Sequence, residues 1–168
     1  MGMEEHKAAA AKSVGAAIIT LSSTRTLAED ASGGWMREQL EGMGHEVVHH
    51  EVIPDNPDAI AAALMGVIQG QRPQVVLMNG GTGISPRDVT IETVKGLLEK
   101  EMTGFGALFS TLSYEEIGSP AILSRATAGV IKGTAVFCMP GSLKACKLAC
   151  KKLIFPELGH VAKHLAEA

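Results

Sequence analysis

The residues best suited to chemistry lie in one segment, residues 79–90, which reads NGGTGISPRDVT. Three glycines in four positions let backbone N–H groups converge on an anion, because no Cβ blocks its approach. Nearby hydroxyl groups add further donors. The proposed donors are Gly80, Gly81, Thr82, Gly83 and Ser85. The segment is interpreted as a phosphate-binding loop, and the alternative is a tight turn that closes a βα unit.

The loop matches neither of two common phosphate-binding motifs. A Walker A loop needs Lys followed by Ser or Thr after its last glycine, and this chain has no such pair there. The dinucleotide fingerprint Gly-x-Gly-x-x-Gly, counted from Gly81, requires glycine where Pro86 stands. Any anion-binding role must therefore follow from the loop's own residues.

Two carboxylates accompany the ends of predicted strands: Asp88 closes the loop, and Asp55 follows Pro54. A carboxylate beside an anion site is unfavourable unless a cation bridges the two, as Mg²⁺ does on phosphates. In a parallel sheet both residues would emerge at the same edge, where they could share one metal or flank one phosphate chain. The alternatives are a helix-capping role for Asp88 and an ordinary loop position for Asp55.

Short apolar runs alternate with helical patterns along most of the chain. Strands are predicted at 14–21, 45–53, 74–78, 128–131 and 134–139. Helices are predicted from 32, over 57–69, 90–100 and 104–117, and from 143, with an interruption at Pro156. Apolar strands separated by helices are typical of a sheet that is covered on both faces. The predicted fold class is therefore α/β, in three α/β/α layers, with a mostly parallel sheet and one antiparallel edge strand.

Ligands of such folds bind beyond the carboxyl ends of the strands, and two more of those ends carry small polar residues. Ser22 follows the first strand, and Pro140-Gly141-Ser142 joins the last strand to the last helix. A Gly-Ser turn at a helix start points amides at a ligand. Ser124 and Arg125 lie between two further predicted elements. A capping Ser and a solvated Arg are the alternative interpretations.

Composition excludes several classes of protein. The 168 residues are 46% hydrophobic, with a net charge of −3 and few aromatic rings. The chain therefore lacks the basic field and stacking surface of a typical nucleic-acid binder, and no apolar run is long enough for a membrane span. Three cysteines without a CxxC motif favour a reduced, cytoplasmic environment. One domain is expected over 13–168, after a flexible polar tail at 1–12 that is not a signal peptide.

Other residue types that can bind metals are assigned structural roles. His45 and His49 would share a strand face but lie about 13 Å apart, too far to bind one ion, so a polar strand end is favoured. Cys146 and Cys150 recur at helical spacing beside leucines, which favours core packing.

Together these motifs resemble the MoaB/MogA family of molybdenum cofactor biosynthesis. The resemblance runs over nearly the whole chain from Val14. It rests on Asp30-x-Ser32-Gly33, Ile53-Pro54-Asp55, Gly80-Gly81-Thr82-Gly83, Pro86-Arg87-Asp88-Val89-Thr90, Ser124-Arg125 and Pro140-Gly141-Ser142. The chain departs from the family at Asn79, where Thr is usual, and at Ile91, where Pro is frequent. Asn keeps both a donor and an acceptor, so the first change is expected to be tolerated.

The resemblance implies molybdopterin adenylyltransferase activity, in which the phosphate of molybdopterin attacks the α-phosphate of Mg-ATP and pyrophosphate leaves. It assigns catalysis to Asp55 and Asp88, which would also hold Mg²⁺. It assigns substrate and phosphate binding to Gly80, Gly81, Thr82, Gly83, Ser85, Ser124, Arg125, Gly141 and Ser142. Ser22, Arg87 and Pro140 are further candidate binding residues, because they lie at the same predicted strand ends or beside the glycine loop. A non-catalytic molybdopterin-binding carrier is the alternative. A binder of another nucleotide or of a sugar phosphate is a third hypothesis.

The resemblance also implies partners. Members of the family form trimers, or hexamers made of two trimers, so a homo-oligomer is expected. Molybdopterin and ATP are the expected small-molecule partners, and other cofactor-assembly proteins such as MoeA are further candidates. No nucleic acid or membrane partner is expected.

Overall fold

Six strands form one sheet in the computed structural model, which describes residues 2–3 and 12–167. The strands are β1 (Gly15–Leu21), β2 (Glu46–Ile53), β3 (Val75–Asn79), β4 (Lys100–Glu101), β5 (Thr127–Ile131) and β6 (Thr134–Met139). Their order across the sheet is β2-β1-β3-β6-β5-β4. The strands β2, β1, β3 and β6 run parallel to one another, whereas β5 is antiparallel to both of its neighbours, β6 and β4. The predicted tail at 1–12 lies almost entirely outside the described residues.

Helices pack on both faces of the sheet. They are α1 (Ala31–Gly42), α2 (Pro57–Gly70), α3 (Thr90–Lys95), α4 (Thr103–Ile117), α5 (Leu143–Ala149) and α6 (Leu158–Ala166). The side chain of Asn56 caps α2 by accepting hydrogen bonds from the N–H groups of Asp58 and Ala59, at 2.9 and 3.1 Å. Pro57 occupies the first turn, where a backbone N–H would have no partner within the helix, so the missing N–H of proline costs no hydrogen bond. No helix in the described ranges has the length and apolarity needed to cross a bilayer.

The segment from 90 to 100, predicted as one helix, has a different structure. α3 ends at Lys95, and residues 100–101 instead form β4, antiparallel to β5. Just before β4, the Glu99 N–H donates to the Val130 carbonyl oxygen at 2.9 Å. Pairing with the open edge of β5 thus outweighs the helical spacing of the apolar residues. The antiparallel edge of the sheet is confirmed, with two strands where one was predicted.

The predicted interruption of the last helix at Pro156 is confirmed. A π turn (Cys150–Ile154) and a 3-10 turn (Phe155–Glu157) separate α5 from α6. Pro156 lacks the N–H that would continue the α-helical hydrogen bonds, so a new helix begins at Leu158.

Two apolar cores lie on opposite faces of the sheet. In β1, Ile18 packs in the layer with α1, α4, α5 and α6, while Ile19 packs in the layer with α2 and α3. Both side chains are fully buried. They lie in different cores because successive residues of a strand point to opposite faces of the sheet. This three-layer arrangement confirms the predicted fold class.

The three cysteines are free, buried thiols. Burial raises the pKa of Cys138 and of Cys146 to about 12, and it raises the pKa of Cys150 well above its ordinary value. At neutral pH all three are therefore protonated and behave as small apolar side chains. The core-packing role predicted for Cys146 and Cys150 is confirmed by their burial against α1 and α4.

Leu64 in α2 tests the packing of the second core. It is fully buried, so Leu64→Ala should lower the free energy of unfolding by about 2–5 kcal/mol, through lost burial and a cavity. Leu27→Ala is the matched control: Leu27 is 51% exposed, so the change should be below about 0.5 kcal/mol. Urea unfolding measures both variants. Equal effects would show that this face of α2 does not form part of the core.

Candidate functional site

A cleft of about 400 Å³ opens where β1, β2, β3 and β6 end. Its volume lies in the range of small-molecule sites. Its lining includes residues that the sequence singled out, namely Ser22, Asp55, Gly80, Gly81, Ser85, Arg87, Asp88 and Gly141. The structure therefore brings these residues together at the carboxyl ends of parallel strands, where ligands of such folds bind.

The glycine loop has a backbone conformation that other residues rarely adopt. Gly80 has a φ of +99°, and a Cβ there would collide with the carbonyl oxygen of Leu21. Its N–H donates to the Met139 carbonyl oxygen at 3.0 Å, which ties the loop to the end of β6. Gly141 packs against the loop so closely that a Cβ on it would lie 3.1 Å from the Gly80 Cα. Close backbone contacts therefore require glycine at position 80 and favour a small residue at position 141.

The two candidate carboxylates flank this loop. A Cβ added to Gly81 would lie 3.0 Å from Asp55 Oδ1, and one added to Gly83 would lie 2.7 Å from Asp88 Oδ2. Asp55 comes from the loop after β2, and Asp88 comes from the turn before α3. Two acidic groups from different parts of the chain thus meet at one glycine loop.

One oxygen of each carboxylate is engaged within the protein. Ser23 Oγ donates to Asp55 Oδ2 at 3.1 Å, and the Ser85 N–H donates to Asp88 Oδ2 at 2.9 Å. The other oxygen of each carboxylate accepts no hydrogen bond from a residue that the structure describes. Such a pair fits Mg²⁺, which is commonly held by one or two carboxylates and takes its other ligands from water and phosphate.

A metal in this cleft would need ligands from a substrate. Within residues 2–3 and 12–167, no group of three or more His, Cys, Asp or Glu side chains could surround an ion. Phosphate oxygens are ligands of the type that Mg²⁺ prefers. The donor set therefore suits a metal that arrives with a phosphorylated substrate better than a permanently bound ion.

The Arg125 guanidinium binds carbonyl groups of the glycine loop. Its Nε donates to the carbonyl oxygens of Thr82 and Gly83 at 3.0 and 3.1 Å, and its Nη2 donates to that of Gly83 at 2.7 Å. A trans peptide points its C=O and N–H in opposite directions. These bonds therefore turn the N–H groups of Gly83 and Ile84 away from Arg125. The sequence placed Arg125 among the substrate-binding residues, whereas the structure places its guanidinium on the loop's own backbone.

Glu92 holds Arg125 in this position. The two side chains form a hydrogen-bonded ion pair. The hydrogen bond from Arg125 lowers the pKa of Glu92, and the same bond raises the pKa of Arg125. Both groups are therefore charged near neutral pH, and the pair fixes the orientation of the loop amides.

A buried hydrogen-bond network beneath the loop centres on Asp30. Its Oδ2 accepts from Thr20 Oγ1 at 2.7 Å and lies 2.8 Å from His50 Nε2. Its Oδ1 accepts from the Gly33 N–H at 2.9 Å and so caps α1. Burial raises the pKa of Asp30, but these three hydrogen bonds outweigh burial and leave the pKa below its ordinary value. The carboxylate is therefore charged at neutral pH although it is buried.

Asn79 joins this network to the loop that follows it. Its Nδ2 donates to Thr20 Oγ1 at 2.7 Å. The Thr20 hydroxyl already donates to Asp30, so it can only accept from Asn79, and this fixes the orientation of the amide. The residue that departs from the resembled pattern is thus part of the loop's support.

Several residues of the site were not apparent from the sequence. Ser23, Thr24 and Arg25 also line the cleft, and their position directly after β1 is the signal that could have placed them there. His50, the residue after His49 in β2, pairs with buried Asp30. No local pattern indicates that contact, because the two residues belong to different elements.

The remaining predicted residues lie outside the cleft lining. Thr82 is buried, and the Ser142 side chain caps α5 by accepting from the Ala145 N–H at 3.2 Å. Ser124 and Pro140 line a separate hollow of about 100 Å³ beside α4. A ligand that contacts these residues would have to extend beyond the cleft.

A larger hollow, about 610 Å³, lies at the opposite ends of β3 and β6. Its lining includes Arg72, Gln74, Lys132, Thr134 and Ala162. This lining contains neither a carboxylate nor a glycine-rich loop. The chemistry of the residues, rather than the size of the cavity, therefore identifies the smaller cleft as the candidate site.

Comparison with known sequences gives matches over nearly the whole chain. The family model described as "Probable molybdopterin binding domain" matches residues 17–160. Molybdenum cofactor biosynthesis protein B of Bacillus subtilis strain 168 is 49% identical over 166 residues, which cover 98% of this chain and 98% of that protein.

Comparison with solved structures gives the same result for the fold. A crystal structure of molybdenum cofactor biosynthesis protein B superposes with a TM-score of 0.89 at 49% identity, covering 92% of this chain and 96% of that one. The tungsten cofactor synthesizing protein MoaB from Pyrococcus furiosus superposes with a TM-score of 0.84 at 38% identity, covering 94% and 100%.

Gly80→Ala tests the backbone constraint at the loop. The positive φ and the contact with Leu21 should make this variant about 1–3 kcal/mol less stable than the parent. Gly66→Ala is the matched control: no atom lies within 4 Å of the added Cβ in α2, so stability should rise by up to about 1 kcal/mol. Thermal unfolding of the two variants measures the expected loss of stability in the first and the expected gain in the second. A Gly80→Ala protein as stable as the parent would contradict the proposed constraint.

Asp30→Asn tests the buried network through its pH dependence. At pH 7 the variant should lose about 1–3 kcal/mol of stability, because a buried charged acceptor is removed from three donors. A folded-state pKa below the unfolded value contributes stability that is lost as the pH falls. The difference from the parent should therefore shrink below about pH 4, where Asp in the unfolded chain becomes protonated.

Urea unfolding at pH 7 and at pH 3.5 gives the two values. Glu38→Gln serves as the control, since Glu38 is exposed on α1 and should change stability by less than about 0.5 kcal/mol at either pH. A loss for Asp30→Asn that stays constant over this range would rule out a charged Asp30 as its source.

Proposed function

The chain belongs to the family of molybdenum cofactor biosynthesis protein B, and from this membership we propose that it acts in molybdenum cofactor biosynthesis as a molybdopterin adenylyltransferase. In this reaction a phosphate oxygen of molybdopterin forms a bond to the α-phosphorus of Mg-ATP. The bond from that phosphorus to the oxygen bridging the β-phosphate breaks. The products are adenylyl-molybdopterin and pyrophosphate, and the electron pair of the broken bond leaves with pyrophosphate.

The position of two carboxylates beside a glycine loop in one cleft is the main support for this proposal. Both reacting groups are phosphate anions, so the site must supply neutral donors and a cation. Asp55 and Asp88 are the carboxylates of the cleft within the described part of the chain. Because the two carboxylates lie at Gly81 and Gly83, potential metal ligands stand beside N–H groups that can donate hydrogen bonds to phosphate.

The loop supplies the neutral donors. The N–H group of Gly81, which lines the cleft, donates to no other residue that the structure describes, and neither do those of Thr82 and Gly83, which follow it just outside the lining. Arg25 and Arg87 lie in the same cleft and add positive charge that offsets the two carboxylates. Two anionic substrates held there would be positioned for reaction, which lowers the entropic part of the barrier.

The carboxylates are already fixed in place by the protein. Ser23 Oγ bonds to Asp55, and the Ser85 N–H bonds to Asp88. Mg²⁺ bound with ATP would be held by Asp88 together with Asp55, and it would neutralise charge on the phosphate oxygens in the transition state. Little reorganisation of the carboxylates is then needed when the substrates bind.

We further propose that the chain works as a homo-oligomer, a trimer or a hexamer, and passes its product to a cofactor-assembly partner such as MoeA. Exposed apolar side chains occur on α4 and the turn after it, at Leu108, Tyr114, Ile117, Ile122 and Leu123. Apolar surface of this kind is typical of faces that are buried by association.

Asp88→Asn tests the metal-binding role without disturbing the turn, because the Asn oxygen can still accept from the Ser85 N–H. Loss of the charge should lower the rate of pyrophosphate release from molybdopterin and Mg-ATP by at least about 10²-fold. Molybdopterin affinity, measured by calorimetry without ATP, should change little, since the glycine loop is intact.

Asp58→Asn is the matched control, because Asp58 is exposed at the start of α2 and outside the cleft lining. It should retain the parent rate. Pyrophosphate release at the parent rate in Asp88→Asn would contradict the proposed role of that carboxylate.

A further inference from the structure

The hollow of about 610 Å³ lies at the starts of β3 and β6, at the edge of the sheet opposite to the glycine loop. Its volume is in the range of small-molecule sites. The five residues of β3 run from this hollow to the cleft, so about 16 Å of strand separates the two. The proposed adenylyl transfer does not use the hollow, and its lining is chemically different from that of the cleft.

Two cations and no carboxylate line this hollow. The cations are Arg72, which follows α2, and Lys132, in the turn between β5 and β6. Neither side chain forms an ion pair with a residue that the structure describes. Glu99 lies near Lys132 but accepts from its backbone N–H, at 3.0 Å, and is not part of the lining. The hollow therefore carries positive charge that no neighbouring carboxylate offsets, which favours an anion.

Both cations stand where the backbone conformation is unfavourable for their type. Arg72 has a φ of +50° and Lys132 a φ of +48°, and no other non-glycine residue within 2–3 and 12–167 has a positive φ. Residues with a long side chain rarely adopt this region, because the Cβ crowds the backbone. Backbone strain of this kind is typical of functional positions. Both strained residues of the described chain thus carry a positive charge and line one hollow.

The turn between β5 and β6 shows the same preference most clearly. Ile131 pairs with Thr134, so Lys132 and Gly133 alone form the turn, and both have a positive φ. Two-residue turns with this backbone favour Asn-Gly. A lysine at the first position therefore adds charge to the hollow where asparagine would fit the backbone better.

Gln74 adds a neutral donor whose orientation is fixed. Its Oε1 accepts from the Gly15 N–H at 2.8 Å, and only the oxygen end of the amide can do so. The Nε2 group is therefore directed away from Gly15, and it donates to no residue that the structure describes. Since Gln74 lines the hollow, it offers N–H donors to a ligand there in addition to the two cations.

Part of the wall is apolar. Ile68 and Ala162 are 4% and 2% exposed, and Pro73 and Leu165 also line the hollow. An apolar wall beside a few polar groups suits an organic molecule better than a bare ion. The charge of a phosphate monoester, close to −2, balances two cations, and guanidinium groups bind phosphate oxygens in pairs.

We propose that this hollow is a second ligand site, which binds a small organic phosphate ester with an apolar or aromatic body. Arg72, Lys132 and Gln74 bind the phosphate group, and the apolar wall contacts the body of the ester. The site is independent of the proposed adenylyl transfer, because the two cavities share no lining residue.

The experiment titrates the isotope-labelled full chain with phenyl phosphate, inorganic phosphate and benzoate, without ATP or molybdopterin. Nuclear magnetic resonance follows the amides of Lys132 and Gly133 for the hollow, and those of Gly81 and Gly83 for the cleft. Phenyl phosphate should shift the first pair saturably. It should bind about 10-fold more tightly than inorganic phosphate, because its ring covers apolar wall. Benzoate carries a single charge and should bind at least about 5-fold more weakly than phenyl phosphate.

Asparagine variants separate binding from folding. Arg72→Asn and Lys132→Asn should each weaken phenyl phosphate binding at the hollow by at least about 10-fold. Because asparagine tolerates a positive φ, the thermal midpoint should stay constant or rise by up to about 4 °C. Lys132→Arg keeps the charge and should bind within about 3-fold of the parent. Arg37→Gln is the matched control: it removes an exposed cation of α1 outside both linings and should bind as the parent does.

Three results would overturn the proposal. Amide shifts confined to the glycine loop would show that the anion binds only in the cleft. Undiminished binding in both asparagine variants would show that the two cations do not hold it. Benzoate that binds as tightly as phenyl phosphate would exclude a phosphate ester as the preferred ligand.

Discussion

The hydrogen-bond chain from Asp30 through Thr20 to Asn79 holds together the elements on which the candidate site stands. It joins the start of α1, the end of β1 and the end of β3, and it runs directly beneath the glycine loop. The buried charge of Asp30 requires all of its donors, since an unpaired buried carboxylate would cost several kcal/mol. Satisfying that charge therefore fixes the relative positions of the strand ends above it.

The site built on this support consists largely of backbone. The loop contributes its amides, and the residues around it hold the peptide planes in place. Arg125 does so through the carbonyl oxygens of Thr82 and Gly83, and Gly141 does so by packing against Gly80. Two carboxylates lie beside these amides in the cleft, Asp55 and Asp88, and the described part of the chain places no other carboxylate in its lining. A site of this kind suits phosphate groups, which need many weak donors in fixed positions.

Parts of the structure could be predicted because their causes are local. Asn56 and Pro57 act on the helix that they start, and the apolar strands are recognisable from their own residues. The cleft could also be located in outline, since parallel strands end at one edge. β4 could not be predicted, because only two residues form it and their pairing with β5 depends on an edge that the sequence does not show. The pairing of His50 with Asp30 likewise depends on tertiary contacts between distant elements.

The most direct measurement is a reaction of the purified protein with molybdopterin and Mg-ATP, followed by mass spectrometry of the products. An adenylyltransferase should form adenylyl-molybdopterin and pyrophosphate in equal amounts, over many turnovers for each chain. Molybdopterin that binds in the cleft but stays unmodified while ATP remains intact would contradict the catalytic role of Asp55 and Asp88. The chain would then be a carrier of molybdopterin.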